Sequence, residues 1–179
     1  MKKLLVGSLI ASSLAILSGC GADGRVTGGG TMHSAGGDGK TVFTINASRC
    51  PDSSGESVVK GKVQLHDKTA IDFENTGGVS LHADVTSAMY CSDDPADDSG
   101  EYCLQCQSAG YFEVEFAYNS QNNQNPGEGS GYMCIADAGS GNGLHGIAIV
   151  QVTSGPYDGY TNLGGVSGNV QTHECDTQE

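Results

Sequence analysis

Apolar and polar residues alternate along this chain in short runs, and clusters of Gly, Asn, Asp and Ser separate the runs. A period of two sends successive side chains to opposite faces of a strand. No run of useful length repeats with the 3.6 period of an amphipathic helix. The pattern predicts an all-β chain of about eight strands. The first covers 25–33, through VTGGGTM. The second covers 41–48, with Phe43, Ile45 and Ala47 on one face. The third runs from 58 to 73, with Val59, Val63, Leu65, Ile71 and Phe73 inward and Lys60, Lys62, Gln64, His66 and Lys68 outward. Asp67 and Thr69 interrupt its inward row, which predicts a bulge there. NTGG at 75–78 is a turn signal. The fourth strand, 79–89, turns Val79, Leu81, Ala83, Val85 and Met89 inward and Ser80, His82, Asp84 and Thr86 outward. Pairing Phe73 with Val79 sets Lys68 opposite Asp84, so opposite charges meet on the outer face. The fifth, 111–118, points Phe112, Val114, Phe116 and Tyr118 inward and Glu113 and Glu115 to solvent. The sixth, seventh and eighth are read at 132–136, 146–152 and 166–173. The seventh, GIAIVQV, is apolar on both faces and is expected to be covered.

An up-and-down order of these strands has a consequence for the cysteines. Cys50, Cys91 and Cys175 fall just past the ends of the second, fourth and eighth strands, which run the same way. Cys103 and Cys106 precede the fifth, and Cys134 lies along the sixth. Most of the cysteines therefore gather at one end of a single antiparallel meander. The first and last strands both carry adjacent glycines, which permit close backbone approach. They become neighbours if the meander closes into a barrel, and closure removes exposed edges. A two-sheet β-sandwich is the alternative.

The N-terminus, MKKLLVGSLIASSLAILSGC, changes the setting of this domain. Lys2 and Lys3, a short apolar stretch and small residues before Cys20 have the layout of a signal peptide. The segment LSGC at 17–20 resembles the bacterial lipobox. That resemblance implies lipidation of Cys20, cleavage before it and durable attachment to a membrane by several acyl chains. The expected organisation is a lipoprotein signal peptide at 1–19, a tether at 20–25 and a β domain at 26–175 with a cysteine-rich acidic insertion at 91–109. Gly21, where Asp would favour inner-membrane retention by resemblance to enterobacterial sorting, points to the outer membrane or the cell surface of a Gram-negative bacterium. In that oxidising compartment an even set of six cysteines implies three disulfides, although six cysteines allow fifteen pairings.

Charge narrows the partners. The formal net charge is −13, and no Lys or Arg follows Lys68, whereas sixteen Asp and Glu do. Such a surface repels nucleic acid. The membrane, through the anchor, and an envelope or surface component of unspecified kind are the partners expected.

Candidate chemistry concentrates in CSDDPADDSGEYCLQC, 91–106. A zinc site would draw on Cys91, Cys103 and Cys106 with Cys134 or a histidine, but Cys-x-x-Cys supplies only half of the usual set. A thioredoxin-like redox site would place Cys-x-x-Cys at a helix start, and here it precedes a strand. Calcium is the stronger competitor, with Asp93, Asp94, Asp97, Asp98 and Glu101 as oxygen ligands, although the spacing is not that of an EF-hand. The favoured reading is a solvated acidic loop stapled by Cys91 to Cys103 or Cys106. A second polar set, His66, Asp67, His82, Asp84 and His173, could form a metal patch, with ordinary cross-strand pairs favoured over it. No nucleophile elbow, phosphate-binding loop, zinc-protease helix or dinucleotide fingerprint occurs. The expectation is a non-enzyme without a cofactor, calcium aside.

The opening VTGGG, the central GKVQLHDK and the closing LGGVSGNVQTHE resemble, in the same order, segments of the secreted bacterial domain called post-COAP. His66, Asp67, Asn169, Gln171 and His173 fall on its recurring motifs. The resemblance spans 25–174 and implies a small β domain without established activity. The chain departs from that family in its insertion at 91–109 and in standing alone behind a lipid anchor. Together these readings point to a lipid-anchored envelope or cell-surface domain with a structural, adhesion or interaction role. A lipocalin-like small-ligand carrier is the alternative, followed by a calcium-dependent binding module or a cryptic hydrolase.

Overall fold

The computed structural model describes residues 23–91, 103–106, 110–137 and 146–175. Eight strands run in chain order: β1 Gly24–His33, β2 Lys40–Pro51, β3 Ser57–Asp67, β4 Val79–Tyr90, β5 Phe112–Ser120, β6 Glu128–Ala136, β7 Gly146–Val152 and β8 Thr161–His173. Each pairs antiparallel with the next, and β8 returns to β1 to close a barrel. The closing seam sets Arg25 opposite His173, Gly30 opposite Gly168 and Thr31 opposite Ser167. The closed meander expected from the sequence is the fold, and the sandwich is not formed.

Alternation builds the interior. Val26, Phe43, Val63, Leu65, Leu81, Phe112, Phe116, Met133, Ile135 and Val150 point inward, each at most 1% exposed. Burying each such side chain contributes roughly 1.5–3 kcal/mol. The glycines supply the space for the larger rings. A Cβ on Gly131 would lie 2.9 Å from the Phe116 ring, and one on Gly129 would lie 2.6 Å from that of Tyr118. Large and small inward residues therefore sit face to face on β5 and β6, as a narrow barrel requires.

The structure corrects several local expectations. β3 ends at Asp67, and Ile71–Thr76 forms a short 3-10 helix instead of extending the strand. Ile71 is 55% exposed, and Phe73 packs edge-on against Tyr157 and Tyr160 at the barrel end. Gly77 and Gly78, at φ 83° and 81°, then turn the chain into β4. The β3–β4 register consequently pairs Lys62, not Lys68, with Asp84. That slip is six residues, an even number, so the inward and outward faces of both strands survive it. The bulge expected near Asp67 occurs instead in β4, between Val85 and Ser87. It turns Ala88, rather than Met89, into the core. β6 and β8 begin earlier than their apolar runs, because their Gly-containing first halves pair without an alternating signature. Ile149 on β7 packs against the neighbouring cysteine cluster, while Ile147 stays 38% exposed, so the outer face of β7 is covered only in part.

Candidate functional site

Three polar constellations stand out, and the fold separates them. The first closes one end of the barrel. Asp67 is the last residue of β3, points inward opposite Thr41 and has no solvent exposure. Its carboxylate accepts hydrogen bonds from Ser34 Oγ at 2.5 Å, Thr41 Oγ1 at 2.7 Å, the Ala35 amide at 2.9 Å and Tyr160 OH at 3.1 Å. Asn162 Nδ2 extends the network to Thr41 Oγ1 and the His33 carbonyl. Burial pushes the Asp67 carboxyl upward, but the bonds from Ser34, Ala35, Thr41 and Tyr160 outweigh it and hold the group below the usual carboxylate range. Burial raises the Tyr160 phenol far above its ordinary value, and the Asp67 charge adds to the effect, so Tyr160 remains a donor. A carboxylate saturated with internal donors offers no lone pair to a substrate. A depression of about 220 Å³ opens over this end, against Ala35, Ala70, Ile71, Phe73 and Tyr160.

The second constellation is covalent. Cys50 bonds Cys175, Cys91 bonds Cys103 and Cys106 bonds Cys134. The pairing of Cys91 with Cys103 staples the insertion as the favoured reading expects. The two members of the Cys-x-x-Cys pair bond different partners, Cys91 just after β4 and Cys134 on β6, so the motif is not itself a disulfide. Glu113, read as solvent-facing, is buried at 3% exposure. The chain at 103–106 folds over it, and its carboxylate accepts the Gln105 and Cys106 amides at 2.9 and 2.8 Å. One carboxylate oxygen of Glu113 and the sulfurs of Cys91 and Cys103 lie within 4.8 Å of one another. Disulfide sulfurs are not thiolates, however, and thiolates are what zinc takes from cysteine.

The third lies on the outer wall. His66 on β3 faces Ser80 on β4, and His82 on β4 faces Gln64 on β3. The imidazole rings are therefore diagonal neighbours, with centroids 5.9 Å apart and nearly perpendicular planes. His66 Nδ1 meets Ser80 Oγ at 2.8 Å. Burial lowers the His66 pKa, and the charges of His82 and Lys68 lower it further, which favours a neutral ring at pH 7. Asp84 continues this outer row and is bonded to Lys62.

The structure thus brings His66 and His82 together, sets Asp84 further along the same outer row and separates the other two members of the predicted polar set. Asp67 points into the barrel. His173 lies at the β1–β8 seam, 3.4 Å from Thr27 Oγ1. Cys20 and the proposed calcium ligands Asp93, Asp94, Asp97, Asp98 and Glu101 lie outside the described residues. The sequence reading missed Ser34 and Tyr160, which meet Asp67 from the β1–β2 turn and the β7–β8 loop, and Asn162 of β8, which joins through Thr41 and Tyr160. Their only trace in the sequence is the polar break that Asp67 makes in an apolar row. No family model matches this chain, and neither the curated proteins nor the solved structures give a significant match.

Proposed function

We propose that this chain is a lipid-anchored interaction module of the bacterial envelope or cell surface, in which the barrel is a scaffold and not a container or a catalyst. The observation that carries the reading is the barrel interior. Its inward rings and aliphatic chains pack on one another as one continuous cluster, from Val26 on β1 to Val170 on β8. Such packing favours a filled barrel over a ligand cavity. The outer wall supports the same reading. Thr44, Asn46, Lys62, Gln64, His82 and Asp84 face outward on β2, β3 and β4, where a membrane-spanning barrel would carry an apolar band. Among the described residues no helix is long and apolar enough to cross a membrane. Attachment would then come from the lipid on Cys20, with a short tether leading into β1.

The test uses the full chain expressed with its own leader in a Gram-negative host. Metabolic labelling with an alkyne fatty acid should mark the wild type and leave Cys20→Ala unmarked, and the wild type should sediment with the outer membrane. Equal labelling of both, or release of the wild type into the soluble fraction, would overturn the anchor. Native mass spectrometry of the purified lipoprotein should show three disulfides and no organic cargo. A small organic molecule retained under gentle desolvation would favour the carrier instead.

A further inference from the structure

We propose that His66 and His82 form a surface site for a divalent transition-metal ion of the kind that imidazole nitrogen prefers, such as zinc, nickel or copper. Barrel pairing fixes both residues. His66 and Ser80 are directly opposed, as are Gln64 and His82, so the two rings project from adjacent strands on one diagonal of the outer wall. A nitrogen ligand sits about 2.0–2.1 Å from zinc, which places the centroids of two rings on one ion roughly 5–6 Å apart. The observed centroid separation is 5.9 Å, before any adjustment of either ring. A second contact orients the site. When His66 Nδ1 donates to Ser80 Oγ across their 2.8 Å contact, Nε2 carries the free lone pair. Such a bond to the far ring nitrogen is the arrangement that fixes tautomer and direction in metal-bound histidines. His82 is exposed, so reorienting its ring toward His66 would not repack the core.

The immediate surroundings set the character of the site. Lys62 is engaged by Asp84 one step along the strands, and so its charge is offset. Two imidazoles leave the remaining coordination positions to water or to a ligand from a partner, so binding is weak and exchangeable. Imidazole pairs suit zinc, nickel and copper, whereas calcium and magnesium require oxygen ligands. The inference stands apart from the acidic stretch at 93–101 and from the lipid anchor.

The test is a zinc titration of the full chain in detergent, followed by histidine-ring nitrogen shifts and by calorimetry. One ion per chain should bind, moving the His66 and His82 rings before the other histidines. His66→Ala and His82→Ala should each weaken binding by more than about tenfold. Ser80→Ala should weaken it less than loss of either ring, by about tenfold, while leaving both rings in place. His173→Ala should bind as the wild type does. Unchanged zinc affinity in the His66→Ala/His82→Ala double variant would overturn the site. Displacement of the ion by an equal concentration of calcium would also overturn it, because an oxygen site would then be the receptor. Circular dichroism of each variant separates loss of binding from loss of fold.

Discussion

Asp67 illustrates how one polar side chain organises the end of this barrel. It is fully buried, and five donors from the β1–β2 turn, from β2, from the Thr69 amide just after β3 and from the β7–β8 loop converge on it. Asp67→Ala would leave these donors without their acceptor. Leaving a buried donor unsatisfied costs about 1–3 kcal/mol, so the denaturation midpoint in guanidinium should fall accordingly. A loss below about 1 kcal/mol would mean that water replaces the carboxylate. The pH dependence follows from the direction of its shift. The folded-state pKa is depressed, so the stabilisation is complete above the unfolded carboxylate value, near 4. It is lost as pH falls through the lower folded-state value. The stability gap between wild type and Asp67→Asn should therefore stay constant from pH 7 to about 5 and shrink below about pH 4. A gap that persists undiminished at pH 2 would show that ionisation of Asp67 is not its source.

At the scale of elements, β5 and β6 depend on matched large and small residues. A methyl group on Gly131 would meet the Gln151 carbonyl at 2.4 Å as well as the Phe116 ring, and one on Gly129 would meet the Ser154 carbonyl at 2.2 Å. Gly131→Ala should destabilise the fold by about 1–3 kcal/mol, read from urea denaturation. Because the backbone of β7 is the nearer obstacle, adding Phe116→Leu should not restore stability. Full rescue would locate the conflict in the ring alone. The third strand shows where alternation misleads. Ile71 and Phe73 keep the odd-numbered apolar spacing of β3, yet they belong to a 3-10 helix. Side-chain pattern alone cannot register that the backbone has left the sheet. Glu113 is the converse case. Its strand face was legible, but the segment that buries it arrives from 103–106 and is held by a disulfide.

The whole molecule is held by pairing between its first and last strands. The Cys50–Cys175 disulfide links the end of β2 to the chain just after β8, with β1 between them, and spans 125 residues. Cys91–Cys103 spans only 12. On the chain-entropy account the long loop contributes about 4–5 kcal/mol and the short one about 3. Replacing Cys50 and Cys175 by Ala should therefore lower stability more than replacing Cys91 and Cys103. Hydrogen exchange in the Cys50→Ala/Cys175→Ala variant should rise first along β1 and β8. Uniform acceleration through all eight strands would mean that the seam does not open separately from the rest of the barrel.

Strand number, the alternating faces, closure of the meander and the stapling of Cys91 near the Cys-x-x-Cys pair were all present in the sequence, because each rests on local periodicity or on chain order. The remaining pairings, the β3–β4 register, the bulge in β4 and the burial of Glu113 were settled by tertiary structure. Each depends on which backbone groups meet across the sheet or over its outer wall. The same division runs through the candidate sites. His66 and His82 were visible as outward residues, but their diagonal contact depends on a register that a turn and a 3-10 helix set. Asp67 was visible as a break in an apolar row, and only folding brought Ser34, Thr41, Tyr160 and Asn162 around it, from positions up to 95 residues away along the chain.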